Sequence, residues 1–351
     1  MSICLAMLCR DESALIKKAL DSVKPFIDCW LIVDTGSTDG TQDIIYDTMK
    51  DIPGVLHERK WKGWSESRNE SLDLARRSGC DWILILDADD IIQGSLPENL
   101  NPNAEYWVTI KHGNLEYSRP HLVNAKLKYS YKGCIHEYLS CDEDRAPQQI
   151  LLPITIVATP SRRDLSKDVV ILEEALKREP ENRRYWFYYA QSLKDTRQYD
   201  KALDAYLTRA SMGGWFEEVY YSLLQVAVLN EQTNEPEAVV IDSYLYAYEC
   251  NPARSESLGM LCDYLNRKGR YTLSVIFAEI AKDIPKSNQK LFVDTQYYDW
   301  VCLDLFSVAA YYVGRYQESA ESCRKLLSGL SLPLKHRARV QKNLEFAESK
   351  P

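Results

Sequence analysis

The segment Trp82-Ile83-Leu84-Ile85-Leu86-Asp87-Ala88-Asp89-Asp90 delivers three carboxylates directly after an apolar run. Such a run reads as a buried strand, and α/β sheets hold their ligands beyond the carboxyl ends of their strands. If the extended backbone persists, Asp87 and Asp89 project to the same side and can converge on one cation. Hard carboxylate oxygens suit Mg²⁺ or Mn²⁺, ions that also take pyrophosphate oxygens. Three crowded carboxylates repel one another unless a cation or donors compensate, which counts against a merely solvated acidic loop.

Three further clusters have types and spacing that suit chemistry. In Leu31-Ile32-Val33-Asp34-Thr35-Gly36-Ser37-Thr38-Asp39-Gly40-Thr41, Asp34 ends a strand, where a carboxylate can accept hydrogen bonds from a base or ribose. Asp39 can do the same or cap the helix that follows. In Trp64-Ser65-Glu66-Ser67-Arg68-Asn69-Glu70, Arg68 lies on a helix just before the acidic strand, placed to contact a nucleotide or steady the carboxylates. The last cluster is Tyr131-Lys132-Gly133-Cys134-Ile135-His136-Glu137-Tyr138. Along an extended strand Lys132, Cys134 and His136 share a face, so His136 and Glu137 diverge and only one of them can meet a metal. By residue types alone the pair reads as an ordinary surface His-Glu at an edge strand; where it serves a metal, His136 is the expected ligand, because a neutral imidazole supplements two carboxylates without adding negative charge. Glu137 is a candidate general base toward an acceptor if the backbone turns after His136, and Asp90 is the other candidate.

The elements that must carry these residues change grammar along the chain. Apolar strands at Ile3–Leu8, Cys29–Val33, Gly54–Glu58 and Trp82–Leu86 alternate with amphipathic helices at Ser13–Val23, Thr41–Met49 and Ser65–Arg77, the signature of βαβ units and a largely parallel sheet. Between Tyr106 and Leu139 aromatic strand-like runs predict antiparallel additions, with Tyr129–Ile135 as one strand. From about residue 165 only helices are expected, and Gly269-Arg270-Tyr271 and Gly314-Arg315-Tyr316 repeat one helix–turn–helix corner. Small residues at inter-helix contacts, such corners and the closing Asn251-Pro252 resemble tetratricopeptide repeats, although the 269-to-314 spacing exceeds the ~34-residue period and needs an insertion. The domains predicted are 1–162, α/β, and 163–351, all-α.

Composition bounds the possibilities. The chain has 351 residues, 45% hydrophobic and 27% charged, which is ordinary for a globular protein of two domains. Its ten cysteines are scattered without a CxxC pair, so reduced thiols and a cytoplasmic setting are expected. The first apolar run lacks a basic flank and is too short for a signal peptide or membrane span. A net charge of -8 without a basic block counts against a nucleic-acid partner.

Ala6-Met7-Leu8-Cys9-Arg10-Asp11-Glu12, Val33-Asp34-Thr35-Gly36-Ser37-Thr38-Asp39-Gly40-Thr41, Ser67-Arg68-Asn69 and Leu86-Asp87-Ala88-Asp89-Asp90 stand in the order seen in family-2 glycosyltransferases, which the chain resembles over about residues 1–140. The resemblance implies a GT-A, Rossmann-like nucleotide-sugar-binding domain with a DxD metal motif. It implies a UDP-sugar donor, Mn²⁺ or Mg²⁺, and inversion at the anomeric carbon. By the same resemblance Ala6, Cys9, Asp34, Asp39, Arg68, Asp87 and Ala88 would line the nucleotide, and Asp87, Asp89 and His136 the metal. The appended repeats look like the branch with bacterial peptide S-glycosyltransferases and lipopolysaccharide-core-like transferases. Helical repeats commonly bind peptides, so a protein or peptide acceptor is the first expectation, a surface glycan or lipid-linked saccharide the second and, given the acidic balance, modified DNA bases the third, with a dimer contact expected through the repeats. In relatives another histidine often follows the next strand, and Ile154-Thr155-Ile156-Val157-Ala158-Thr159-Pro160 has none, which weakens a multi-histidine metal set. A nucleotidyltransferase is disfavoured because residues 6–13 lack a phosphate-binding glycine. A non-catalytic scaffold is disfavoured because Asp34, Arg68, Asp87 and Asp89 are all retained.

Overall fold

Strand β1 (Ile3–Cys9) shows why its sequence is apolar throughout. Ile3, Leu5, Met7 and Cys9 enter one core with helices α1 (Ile16–Val23) and α2 (Thr41–Met49), while Cys4 and Ala6 enter a second with Leu72 and Ala75 of helix α3 (Trp64–Arg76). A strand covered on both faces has no polar side to present. Strands β2 (Cys29–Asp34), β3 (Gly54–Glu58) and β4 (Trp82–Ile85) run parallel to it in the order β3-β2-β1-β4. The computed structural model describes residues 1–143, 146–158 and 165–350.

The chain then supplies β5 (Ile91–Gly94), β6 (Ala104–His112), β7 (Leu115–Asn124), a separate hairpin of β8 (Tyr129–Lys132) with β9 (Tyr138–Cys141), and β10 (Gln148–Val157). These extend the sheet to β3-β2-β1-β4-β7-β6-β10-β5, with β7 antiparallel to both β4 and β6. The antiparallel additions expected after Tyr106 are present. The chain leaves β1 toward β2 and β3 and returns to β4 on the other side, so the switch point of the sheet lies between β1 and β4. Ligands are expected beyond the carboxyl ends of that pair.

The register between β2 and β3 places Gly54 opposite Trp30, and a Cβ on Gly54 would lie 2.2 Å from the indole ring. Gly54→Ala should therefore cost about 1–3 kcal/mol through overpacking. Urea unfolding checks this, and an unchanged midpoint would show that the indole moves aside freely.

One expected strand is shorter than its sequence suggests. β8 stops at Lys132, and the backbone turns over residues 133–137, with Gly133 at φ 112° and His136 at φ 50°. The alternation that put His136 on the face of Lys132 and Cys134 fails, because the turn precedes His136 instead of following it.

The chain divides into two compact units, Met1–Arg178 and Glu179–Pro351. The division expected after residue 162 falls on residues outside those described. Helix α4 (Leu165–Arg178) belongs to the first unit.

The second unit is a helical repeat array: α5 (Arg183–Asp195) with α6 (Tyr199–Ser211), α7 (Phe216–Gln232) with α8 (Glu237–Cys250), α9 (Glu256–Arg267) with α10 (Tyr271–Ala281), α11 (Cys302–Tyr312) with α12 (Tyr316–Ser328), then α13 (Leu334–Glu348). Four corners share one geometry. Arg197, Asn234, Gly269 and Gly314 have φ of 61°, 61°, 69° and 84°. The next residue's N–H then bonds back to the carbonyl of Leu193, Asn230, Leu265 or Ala310 at 2.8–2.9 Å, which closes each first helix. Only two of these corners are announced by glycine. The steps from 197 to 234, 234 to 269 and 269 to 314 are 37, 35 and 45 residues. The long step contains an extended connection between α10 and α11, residues 282–301, which ends in the π-helical turn Tyr297–Val301 and is the insertion that the spacing required. Among the described residues no helix is long and apolar enough to cross a membrane, and no disulfide joins any two cysteines.

Candidate functional site

Two loops are zipped together beyond β1 and β2. Asp34 is fully buried, and its Oδ1 accepts from the N–H groups of Gly36 and Ser37, both at 2.7 Å. Asp39 Oδ1 accepts from Thr41 N at 3.1 Å and Oγ1 at 2.6 Å, and its Oδ2 accepts from Ser13 N at 2.9 Å. The Thr41 hydroxyl is the main cause that holds the Asp39 carboxyl low. Thr38 N donates to Asp11 Oδ1 at 2.8 Å, and Asp11 N donates to Ser37 Oγ at 2.9 Å. Asp34 and Asp39 thus each use an oxygen to shape backbone at the rim of the sheet. Cys9 is buried with its Sγ 3.8 Å from Asp34 Oδ2, and burial raises its thiol pKa. Ala6, Cys9 and Ala88 are packed in the two cores of the sheet.

Beyond β4 the acidic triplet meets two guanidiniums. Arg68 Nη1 lies 2.8 Å from Asp87 Oδ1, and Arg119 Nη2 lies 3.2 Å from Asp87 Oδ2. Burial alone would raise Asp87, but Arg68 and then Arg119 hold it well below the usual carboxylate range. Arg68 Nε also donates to Glu137 Oε1 at 2.5 Å, and its guanidinium lies over the Tyr131 ring. Arg119 Nη2 stands 3.7 Å from Asp90 Oδ2. Burial and then the charge of Asp87 push Asp90 up to about 7. Burial and the charges of Asp89, Asp39 and Asp87 likewise push Glu12 up to about 7, and burial with Asp87 raises Asp89. Asp87, Asp89, Asp90 and Glu137 thus gather around Arg68 and Arg119, and Glu12 adds to their field, with negative charge in excess. A divalent cation, carrying its own substrate oxygens, relieves that kind of imbalance.

Among the described residues no three His, Cys, Asp or Glu side chains converge as a cation site by themselves. Asp87, Asp89 and His136 are therefore not brought together as the metal set expected from sequence. The physical reason is the early turn: His136 Nε2 lies 3.8 Å from Asp168 Oδ2 of α4. The turn also carries Glu137 inward onto Arg68, where its carboxylate is largely buried.

Sequence reasoning missed Glu12, Arg119 and His121. His121 is buried on β7, with Nδ1 2.6 Å from the carbonyl oxygen of Ile85 and Nε2 accepting from Arg119 Nε at 2.9 Å. The available signal was the Arg-x-His spacing, which puts both side chains on one face of a strand.

Residues 4–140 match the model of glycosyl transferase family 2. The chain is 24% identical over 223 residues to the SPbeta prophage-derived glycosyltransferase SunS of Bacillus subtilis, a match covering 58% of this chain and 52% of that protein. The glycosyltransferase SunS of Bacillus phage SPbeta matches equally. The chain thus spans about half the length of these curated relatives. A TPR repeat-containing protein of Synechococcus elongatus is 38% identical over 88 residues, 25% of this chain and 20% of its own. Among solved structures, a TPR repeat-containing protein of Cytophaga hutchinsonii aligns with 53% of this chain and 69% of its own at 15% identity, with a TM-score of 0.41. MamA aligns with 53% of this chain and 92% of its own at 13% identity, with a TM-score of 0.37.

Proposed function

We propose that the family-2 glycosyl transferase domain formed by residues 4–140 makes this chain an inverting glycosyltransferase, moving a sugar from a UDP-sugar to a protein or peptide. The observation that carries the reading is Asp87, fixed by Arg68 and Arg119 at 2.8 and 3.2 Å, with Asp89 and Asp90 beside it at the switch point of the sheet. A site of this kind suits a nucleoside diphosphate. It offers guanidiniums for phosphate oxygens and an excess of carboxylates for the cation that accompanies them.

Mn²⁺ or Mg²⁺ fits this donor set with Asp89 as the protein ligand, since such ions take one or two carboxylates plus substrate phosphates. Bound there, the ion would neutralise charge developing on the departing diphosphate. The chain's own residues do the rest. The loop carboxylates, buried Asp34 and exposed Asp39, hold the rim that would receive the nucleoside. Arg68 and Arg119 keep Asp87 ionised and aimed.

Of the two candidate bases, Asp90 is better suited than Glu137. Glu137 is engaged by Arg68 at 2.5 Å, whereas the nearest guanidinium nitrogen to Asp90 given by the geometry is 3.7 Å away, and its proton affinity is raised to near neutrality. In the single displacement the acceptor's oxygen or sulfur attacks the anomeric carbon, and the carbon–oxygen bond to the diphosphate breaks. The acceptor proton passes to Asp90, and UDP leaves. The peptide acceptor rests on the repeat array, because stacked helix pairs present extended surfaces to peptides.

A thermal-shift screen of nucleotide-sugars with Mn²⁺ tests the donor. UDP-sugars should raise the melting temperature most. Equal shifts with ADP-, GDP- and UDP-sugars would remove the nucleotide assignment.

A further inference from the structure

Strand β7 carries two residues, Arg119 and His121, of which the reaction proposed above uses only Arg119, at Asp87. Arg119 and His121 are two residues apart, so they share a face of the strand. β7 pairs with β4, and His121 reaches across to the carbonyl oxygen of Ile85, two residues before Asp87. A carbonyl oxygen can only accept, so His121 Nδ1 carries the proton and donates at 2.6 Å. Nε2 then keeps its lone pair and accepts from Arg119 Nε at 2.9 Å. An imidazolium could not do so. Burial and the neighbouring Arg119 charge hold the ring neutral, with its pKa lowered to about 3.

Both nitrogens of His121 are committed, which rules out a proton-transfer role for it. A guanidinium held at Nε loses rotation about its own stem and presents a fixed fork. That fork turns Nη2 to Asp87 Oδ2 at 3.2 Å and stands 3.7 Å from Asp90 Oδ2. One strand carbonyl therefore sets the imidazole, the imidazole sets the guanidinium, and the guanidinium sets Asp87, the first of the carboxylates that follow the same strand. The linkage closes on itself from β4 through β7 back to the loop after β4.

We infer that Arg119, held in place by a neutral His121, is a positioning residue for the donor diphosphate site, acting through the orientation of Asp87. The inference rests on the UDP-sugar reading of that site. It assigns His121 no contact with substrate.

The test measures the Kd for UDP in the presence of Mn²⁺ on the full chain, together with KM and kcat for UDP-sugar turnover. Arg119→Lys keeps the charge and loses the fork, so the UDP Kd and donor KM should rise about tenfold, as expected for a lost charge-assisted hydrogen bond, with kcat changed by less than about threefold. Arg119→Ala should rise further, and added methylguanidinium should recover part of its affinity, which a purely structural defect would not allow. His121→Phe, which fills the same space without either hydrogen bond, should match Arg119→Lys. The double variant His121→Phe/Arg119→Ala should be no weaker than Arg119→Ala, because His121 acts only through Arg119. UDP affinity unchanged within twofold in Arg119→Ala would overturn the inference, as would fully additive losses in the double variant. A wild-type chain that binds UDP without turning over the sugar would refute the transfer reaction and leave the Kd series to decide Arg119. A wild-type chain that binds no UDP would refute both.

Discussion

Asp89→Ala is expected to lower sugar transfer by about a hundred- to a thousandfold, the size typical of losing one preorganised electrostatic contact to developing charge. The same change should leave the fold intact or slightly more stable. Asp89 sits in the field of Asp87 and contributes to raising Glu12, so removing it lessens repulsion that the folded chain bears. The two readouts move in opposite directions, which separates a functional carboxylate from a structural one. Parallel steady-state kinetics and urea unfolding check both. A variant that loses activity and stability together would recast Asp89 as a structural residue.

Arg68→Ala should have the largest effect on stability. The guanidinium is shared by Asp87 Oδ1 and Glu137 Oε1 and lies over Tyr131, and all of it is largely buried. Removing one partner of a buried ion pair costs about 3–5 kcal/mol, because the orphaned charge stays behind; here Glu137 loses this cation, while Asp87 keeps Arg119 at 3.2 Å. The urea midpoint of the first unit should fall accordingly. Adding Asp87→Asn and Glu137→Gln to Arg68→Ala should restore much of that loss, because the neutral amides no longer need a cation. An equal loss in the triple variant would place the cost in packing around the Arg68 stem instead of in charge.

What could be read from the sequence and what could not follow from locality. β1, β2, β3 and β4 were legible because strands buried on both faces are apolar runs, and α2 and α3 because their apolar residues recur at helical spacing. The acidic triplet and Asp34 were legible because they end such elements, and Arg68 because it lies on the helix that precedes the acidic strand. The turn at 133–137 was not, because it depends on His136 adopting a left-handed φ of 50°, which a non-glycine residue does not advertise. That single conformation moved His136 to Asp168 and Glu137 to Arg68. Two of the four repeat corners were hidden likewise, because Arg197 and Asn234 occupy the position that glycine marks at 269 and 314. Arg119 and His121 were hidden by topology. β7 lies between β4 and β6, and no local pattern tells an isolated Arg-x-His strand that its neighbour will be the acidic one. Long-range pairing decides the site, and the sequence encodes it only through the whole sheet.

The central claim is that Asp87 and Asp89 serve transfer of a sugar from a nucleotide donor. The most direct measurement is release of UDP from UDP-sugars by the full chain with Mn²⁺, followed without an added acceptor and then with candidate peptides, with the sugar traced by mass spectrometry. The expected result is slow Mn²⁺-dependent UDP release that accelerates with an accepting peptide, which gains the mass of one sugar, while Asp89→Ala does neither. Undiminished transfer by Asp89→Ala, or full activity in excess chelator, would contradict it.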